Sequence, residues 1–78
     1  MIDHEKNLRK AIELSKQSID SGSSPFGCVI VDAEGKIVGE GHNRVAPDND
    51  PTAHGEVVAI RNACRNLGTF DLSGCILY

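Results

Sequence analysis

Large aromatic side chains are almost absent from this 78-residue sequence: Phe26, Phe70 and Tyr78 are all it has, and tryptophan does not occur. A domain of this size buries only about 60% of the surface its unfolded chain exposes. With so few rings its core must be built from small aliphatic groups, and its stability is expected to be marginal. No apolar run approaches the roughly 18 residues of a membrane-spanning helix, so no membrane partner is expected. Positive charge is also short, eight Lys and Arg against eleven Asp and Glu, for a formal net charge of -3. The basic residues (Lys6, Arg9, Lys10 and Lys16 in one segment, Arg61 and Arg65 in another) are dispersed, which argues against backbone-dominated nucleic-acid binding. The cysteines Cys28, Cys64 and Cys75 are odd in number and sit in apolar surroundings, which argues against a disulfide framework. Together with the missing charged-then-apolar leader they predict a cytoplasmic chain with three small buried thiols. Internal repeats and low-complexity tracts are missing too.

What is present reads as alternating helix and strand. Leu8, Ala11, Ile12, Ser15 and Ile19 recur at helical spacing, with Asp3 placed to cap, which predicts an amphipathic helix over 3–21. Ser21 to Pro25 ends it with turn residues. Strands are predicted over 26–31 and 36–43, joined by the hairpin turn Asp32-Ala33-Glu34-Gly35. The first strand is nearly all apolar, as suits a strand covered on both faces, and the second alternates like one nearer an edge. A loop over 45–51 follows, then a helix over 53–67 with Asp50 or Thr52 as cap, Val57, Ile60, Cys64 and Leu67 as apolar stripe, and Gly68 as stop. Gly74 to Tyr78 begins a third strand. The order α-β-β-α-β implies a hairpin followed by a right-handed crossover back into the sheet.

The chemistry is concentrated in Asp50-Pro51-Thr52-Ala53-His54-Gly55-Glu56. His54 and Glu56 fall in the first turn of the second helix, where unpaired N–H groups and the positive dipole end favour a neutral imidazole and a nearby anion. A histidine with a carboxylate two residues on is half of the zinc-deaminase pattern H-x-E…P-C-x-x-C. In that chemistry the histidine holds zinc, which brings bound water toward a pKa of about 7, and the non-ligating carboxylate moves protons. The cysteine half of the pattern does not occur in these residues.

Four stretches, Pro25 to Val31, Gly41-His42-Asn43, Asp50 to Ile60, and Cys75 to Tyr78, extend the match. In these the chain resembles the amino-terminal half of the cytidine-deaminase-like superfamily, most nearly its bacterial guanine deaminases. The resemblance implies a three-layer α/β/α fold around a five-stranded mixed sheet, of which 1–78 would be the front half of a single domain. It implies that His54 is a zinc ligand, with the remaining ligands outside this sequence, and that Glu56 is the proton shuttle. Asn43 would hydrogen-bond the base, Phe26 would pack on its ring, and the N–H of Gly55 would meet a ring carbonyl. From the residues alone, Phe26 reads equally as core and Asn43 as a strand-ending turn residue. Gly55 stands where guanine deaminases usually carry alanine.

The activity so implied is zinc-dependent hydrolytic deamination of a small-molecule nucleobase, guanine to xanthine and ammonia. Cytosine, a nucleoside or adenosine in tRNA are the alternative substrates. A non-catalytic fragment or interaction module is the alternative of another class. The third strand would present an unpaired edge, which predicts a homodimer or strand-exchanged oligomer.

Overall fold

A computed structural model describes residues 2–78. Its elements are α1 (His4–Asp20), β1 (Gly27–Val31), β2 (Ile37–His42), α2 (Val45–Asp48), α3 (Gly55–Leu67) and β3 (Ile76–Leu77). Asp3 caps α1 as expected, accepting the N–H of Lys6 at 3.0 Å. Asp32 builds the hairpin turn, its Oδ1 accepting from the N–H groups of Glu34 and Lys36 at 2.9 Å each. The loop expected over 45–51 instead contains one helical turn. Arg44 pairs with Asp48 four residues on, at 2.9 Å, and Asn49 ends the turn in the left-handed conformation.

The sheet runs β2-β1-β3, and both neighbour pairs are antiparallel. β2 and β3 therefore run in the same direction with β1 between them, joined by a crossover through α3. No parallel neighbour pair of the expected mixed sheet occurs among the described residues. One apolar cluster lies under each of α1 and α3. Ala11 and Leu14 of α1 meet Val29 and Val31 on one face, while Ala59 and Ala63 of α3 meet Cys28, Ile30 and Val38 on the other. This is the expected α/β/α layering, with β1 covered on both faces. Leu72 and Cys75 pack against the α3-side cluster.

The helices turn different faces to the sheet than their apolar spacing predicts. The buried face of α1 is Asn7, Ala11, Leu14 and Ser18, and Leu8, Ile12 and Ile19 are exposed. The buried face of α3 is Gly55, Ala59 and Ala63, with Ile60 and Leu67 exposed. The reason is closeness. A methyl on Gly39 would come within 2.7 Å of the Ala63 Cβ, and one on Gly41 within 2.5 Å of the Ala59 backbone N. Glycines on β2 and alanines on α3 let the two backbones nearly touch, which a stripe of Val, Ile and Leu would prevent. Of the three cysteines only Cys28 is fully buried; Cys64 and Cys75 are half-buried. Among the described residues no helix is long and apolar enough to cross a membrane.

Candidate active site

The ends of β1 and β2 and the start of α3 converge on an open cleft of about 650 Å³, lined by Phe26, Asn43 and His54 together with the 22–24 turn, Val45, Ala46 and Pro51. His54 is the N-cap of α3, extended at φ -67° and ψ 153°, and its side chain makes no capping bond. Neither Asp50 nor Thr52 caps the helix as expected. Asp50 closes its own loop instead, with Oδ1 accepting from the Thr52 N–H at 2.9 Å and the Thr52 hydroxyl at 2.7 Å. Those bonds, and secondarily the charge of Arg61, hold its carboxyl below the ordinary carboxylate range. Arg61 reaches back along α3 to both residues, 3.6 Å from Asp50 Oδ2 and 3.2 Å from Thr52 Oγ1. The cap position is thus held by an imidazole that makes no capping bond, and the first-turn N–H groups of α3 have no helical carbonyl to pair with.

Asn43 is buried, at 7% exposure, and tied on three sides. Its N–H donates to the Phe26 carbonyl at 3.0 Å. Its Oδ1 accepts from the Val45 N–H at 3.1 Å and from the Ser23 hydroxyl at 2.7 Å. A backbone N–H only donates, so the atom it meets must be the oxygen. Nδ2 then carries its two protons on the cleft side. The bond from the Val45 N–H, two residues on, makes Asn43 the turn residue that ends β2, and Phe26, 60% exposed, is not core.

Gly55 is buried behind these groups and is not part of the cleft lining. A Cβ there would lie 3.2 Å from the Phe26 carbonyl oxygen and 3.6 Å from the Asn43 nitrogen. Glu56 follows in the first turn of α3, exposed, and is not part of the cleft wall. It lies near enough to β1 to act on Cys28: burial, and then the Glu56 charge, push that thiol up to about 11.

Two supporting residues escaped the sequence reading, Ser23 and Ser18. The Ser18 hydroxyl, fully buried on α1, lies 2.6 Å from the Ser24 carbonyl and 3.1 Å from that of Asn43, pinning both sides of the cleft to the helix. The available signal was spacing: Ser18 continues the row Asn7, Ala11, Leu14, a polar residue where a core residue would stand.

A catalytic zinc ion takes three protein ligands and a water. Among the described residues no group of three His, Cys, Asp or Glu side chains is arranged to hold a metal. His54 has the donor and the freedom of one ligand, but these residues alone do not make a zinc site.

A three-layer α/β/α stack with a histidine and a carboxylate at the start of α3, and an amide just past the end of β2, defines the class as deaminase-like. A family model described as the cytidine and deoxycytidylate deaminase zinc-binding region matches residues 1–78, and the chain belongs to that family. It is 49% identical over 78 residues to guanine deaminase of Bacillus subtilis (strain 168), covering 99% of this chain and 49% of that protein. It is 45% identical over 71 residues to a tRNA-specific adenosine deaminase of Aquifex aeolicus (strain VF5), covering 91% of this chain and 46% of the relative. The X-ray structure of the Bacillus subtilis guanine deaminase superposes with a TM-score of 0.92 over 99% of this chain and 49% of that one, at 49% identity. The chain thus spans about half the length of the relatives it matches.

Proposed function

We propose that this chain is the front half of a zinc-dependent nucleobase deaminase that hydrolyses guanine to xanthine and ammonia. The observation that carries the reading is the convergence of three unengaged groups on one cleft: the His54 imidazole, the Asn43 Nδ2 and the Phe26 ring. A planar heterocycle lying against Phe26 would offer ring acceptors to Asn43 Nδ2 and a carbonyl to the Gly55 N–H. Glu56, which has no protein partner in competition, is the group to carry a proton from the attacking water to a ring nitrogen and then to the departing ammonia. His54 would be one zinc ligand, the rest coming from outside these residues; the ion, when held, supplies an activated water near neutral pH. Guanine is favoured by the 49% identity to a guanine deaminase. Adenosine in tRNA is the second reading, carried by the 45% identity to a tRNA-specific adenosine deaminase, and the net charge of -3 counts against it.

The test is a chimaera joining residues 1–78 to the remaining half of the Bacillus subtilis guanine deaminase, offered guanine, cytosine and adenosine in parallel. Ammonia from guanine, lowered about 10²-fold or more in Glu56→Gln, supports the reading. Ammonia from another substrate alone overturns the choice of guanine. A folded, zinc-loaded chimaera releasing none overturns the reading itself.

A further inference from the structure

Of the hydrogen-bonding atoms of Asn43, all but one are engaged by the protein. Its N–H meets the Phe26 carbonyl, and its Oδ1 meets the Val45 N–H and the Ser23 hydroxyl. Its carbonyl oxygen has two neighbours, the Ser18 hydroxyl at 3.1 Å and His42 Nδ1 at 3.2 Å. Among the described residues no buried side-chain nitrogen or oxygen lacks a partner, so Nδ2, which has none, opens onto the cleft that Asn43 lines.

A proton count assigns the partners of that carbonyl. A hydroxyl carries one proton, and the Ser18 hydroxyl faces two carbonyls, 2.6 Å from Ser24 and 3.1 Å from Asn43. The shorter contact takes the proton, because it lies within the ordinary O–H···O range and the longer one lies just outside it. The Asn43 carbonyl is then left to His42. A bare imidazole nitrogen and a carbonyl oxygen are both acceptors and repel, so Nδ1 is the ring nitrogen that carries hydrogen and Nε2 the one with the lone pair. The backbone carbonyl of Ser18 serves the same region, accepting the Ser23 N–H at 2.9 Å and the Ser21 hydroxyl at 2.8 Å. Ser18 is fully buried on α1 and His42 half-buried at the end of β2, and neither lines the cleft. Each touches a wall of it from behind.

We propose that Ser18 and His42 are positioning residues for recognition of the base. Ser18 gives its one proton to Ser24 and so holds the 22–24 wall, and with it the Ser23 hydroxyl that turns the Asn43 amide. His42, as the Nδ1–H tautomer, holds the Asn43 backbone from the other side. Together they set where Nδ2 stands. That Nδ2 meets a base rests on the proposed function, whereas the tautomer and the placement of the amide do not, so the two can fail separately.

The first measurement needs no turnover. The 15N spectrum of the histidine rings in the 78-residue chain, recorded at alkaline pH, should show hydrogen on His42 Nδ1 and none on Nε2; the reverse overturns the proposal. His42→Leu should shift and broaden the side-chain amide signals of Asn43. His42→Asn, whose amide nitrogen is bonded to the γ carbon as Nδ1 is, should restore them. Signals indifferent to His42→Leu overturn the proposal too. The second measurement uses the chimaera with whichever base it deaminates. Ser18→Ala and His42→Leu should each raise KM about fivefold, the worth of one hydrogen bond, with kcat within about twofold of the parent. Ser18→Cys, close in shape but a weak donor, should move KM in the same direction and replaces the alanine variant if that one unfolds. A lowered kcat at unchanged KM is what a loss of folded protein alone would give, and it overturns the proposal. A chimaera silent on every base, with the tautomer and the Asn43 shifts as expected, leaves the positioning standing and counts against the function.

Discussion

Ser23 donates its hydroxyl proton to Oδ1 of Asn43 over 2.7 Å, and so helps decide which end of that amide faces the cleft. The Val45 N–H fixes the same oxygen from the other side at 3.1 Å. Ser23→Ala should cost about 1 kcal/mol, the net value of one such bond, and loosen the Asn43 side chain. Asn43→Ala should cost about 1–3 kcal/mol, because it strips the Val45 N–H and the Ser23 hydroxyl of their acceptor together. Urea denaturation measures both, and the Asn43 side-chain amide signals report the orientation. Unchanged signals in Ser23→Ala would assign the orientation to Val45 alone.

The glycines of β2 and the one at the start of α3 should respond differently to the same methyl group. In Gly41→Ala the new carbon would meet the Ala59 nitrogen at 2.5 Å and the Gly55 oxygen at 2.8 Å, both backbone atoms that cannot step aside. A loss of about 3 kcal/mol is expected, at the upper end of ordinary overpacking, enough to unfold much of a small domain. In Gly55→Ala the nearest atom is the Phe26 oxygen at 3.2 Å. There the cost of a tight contact is set against the helix-propensity advantage of alanine, about 1 kcal/mol. Stability should change by less than about 1 kcal/mol, and the visible effect should be a displacement of Phe26. Thermal melts of the two variants side by side decide it.

Element order was legible because turn residues and caps are local signals. Asp3, Asp32 and Gly68 do in the structure what their neighbours in sequence suggest. Helix facing was not, because periodicity reports that Leu8, Ile12 and Ile19 share a face but not whether anything covers it. The sheet took the adjacent face, where Ala11 and Ser18 permit a closer approach. The His54–Glu56 pair was legible as a motif, and the freedom of the His54 imidazole was not. It depends on Asp50 and Thr52 spending their oxygens on each other rather than on α3.

Cys28 should make the fold alkali-sensitive. Its thiol is raised from 9.0 to about 11, first by burial and then by the Glu56 charge. A group whose folded pKa is raised contributes stability that is fully present below the unfolded value. Here that contribution is present below about pH 9 and is lost as pH rises toward about 11. The loss amounts to about 2 kcal/mol, on the scale of 1.36 kcal/mol per unit. Cys28→Ala should flatten the stability profile between those pH values, and urea midpoints at pH 8, 9, 10 and 11 measure it. A wild-type profile as flat as the variant's would show that the thiolate is accommodated in place.

Asn62 and Asn66 stand one turn apart on α3 and cover two successive outward carbonyls of β2, those of Glu40 and Val38. Carbonyls two residues apart on one edge are the groups an incoming strand would use, so the pair occupies the template before another chain does. Replacing both by alanine bares that edge, and with β3 already open the molecule then has two edges able to add strands. A chain with one open edge can close as a pair, whereas one with two can propagate. Asn62→Ala/Asn66→Ala should therefore form species larger than a dimer, growing with concentration, under conditions where the parent chain does not. Light scattering across a concentration series distinguishes the two. Adding Leu77→Pro to the double variant should return it to the parent's behaviour, since growth needs both edges; continued growth would mean that the β2 edge pairs with itself or with a face, and that the two amides guard against something other than strand addition.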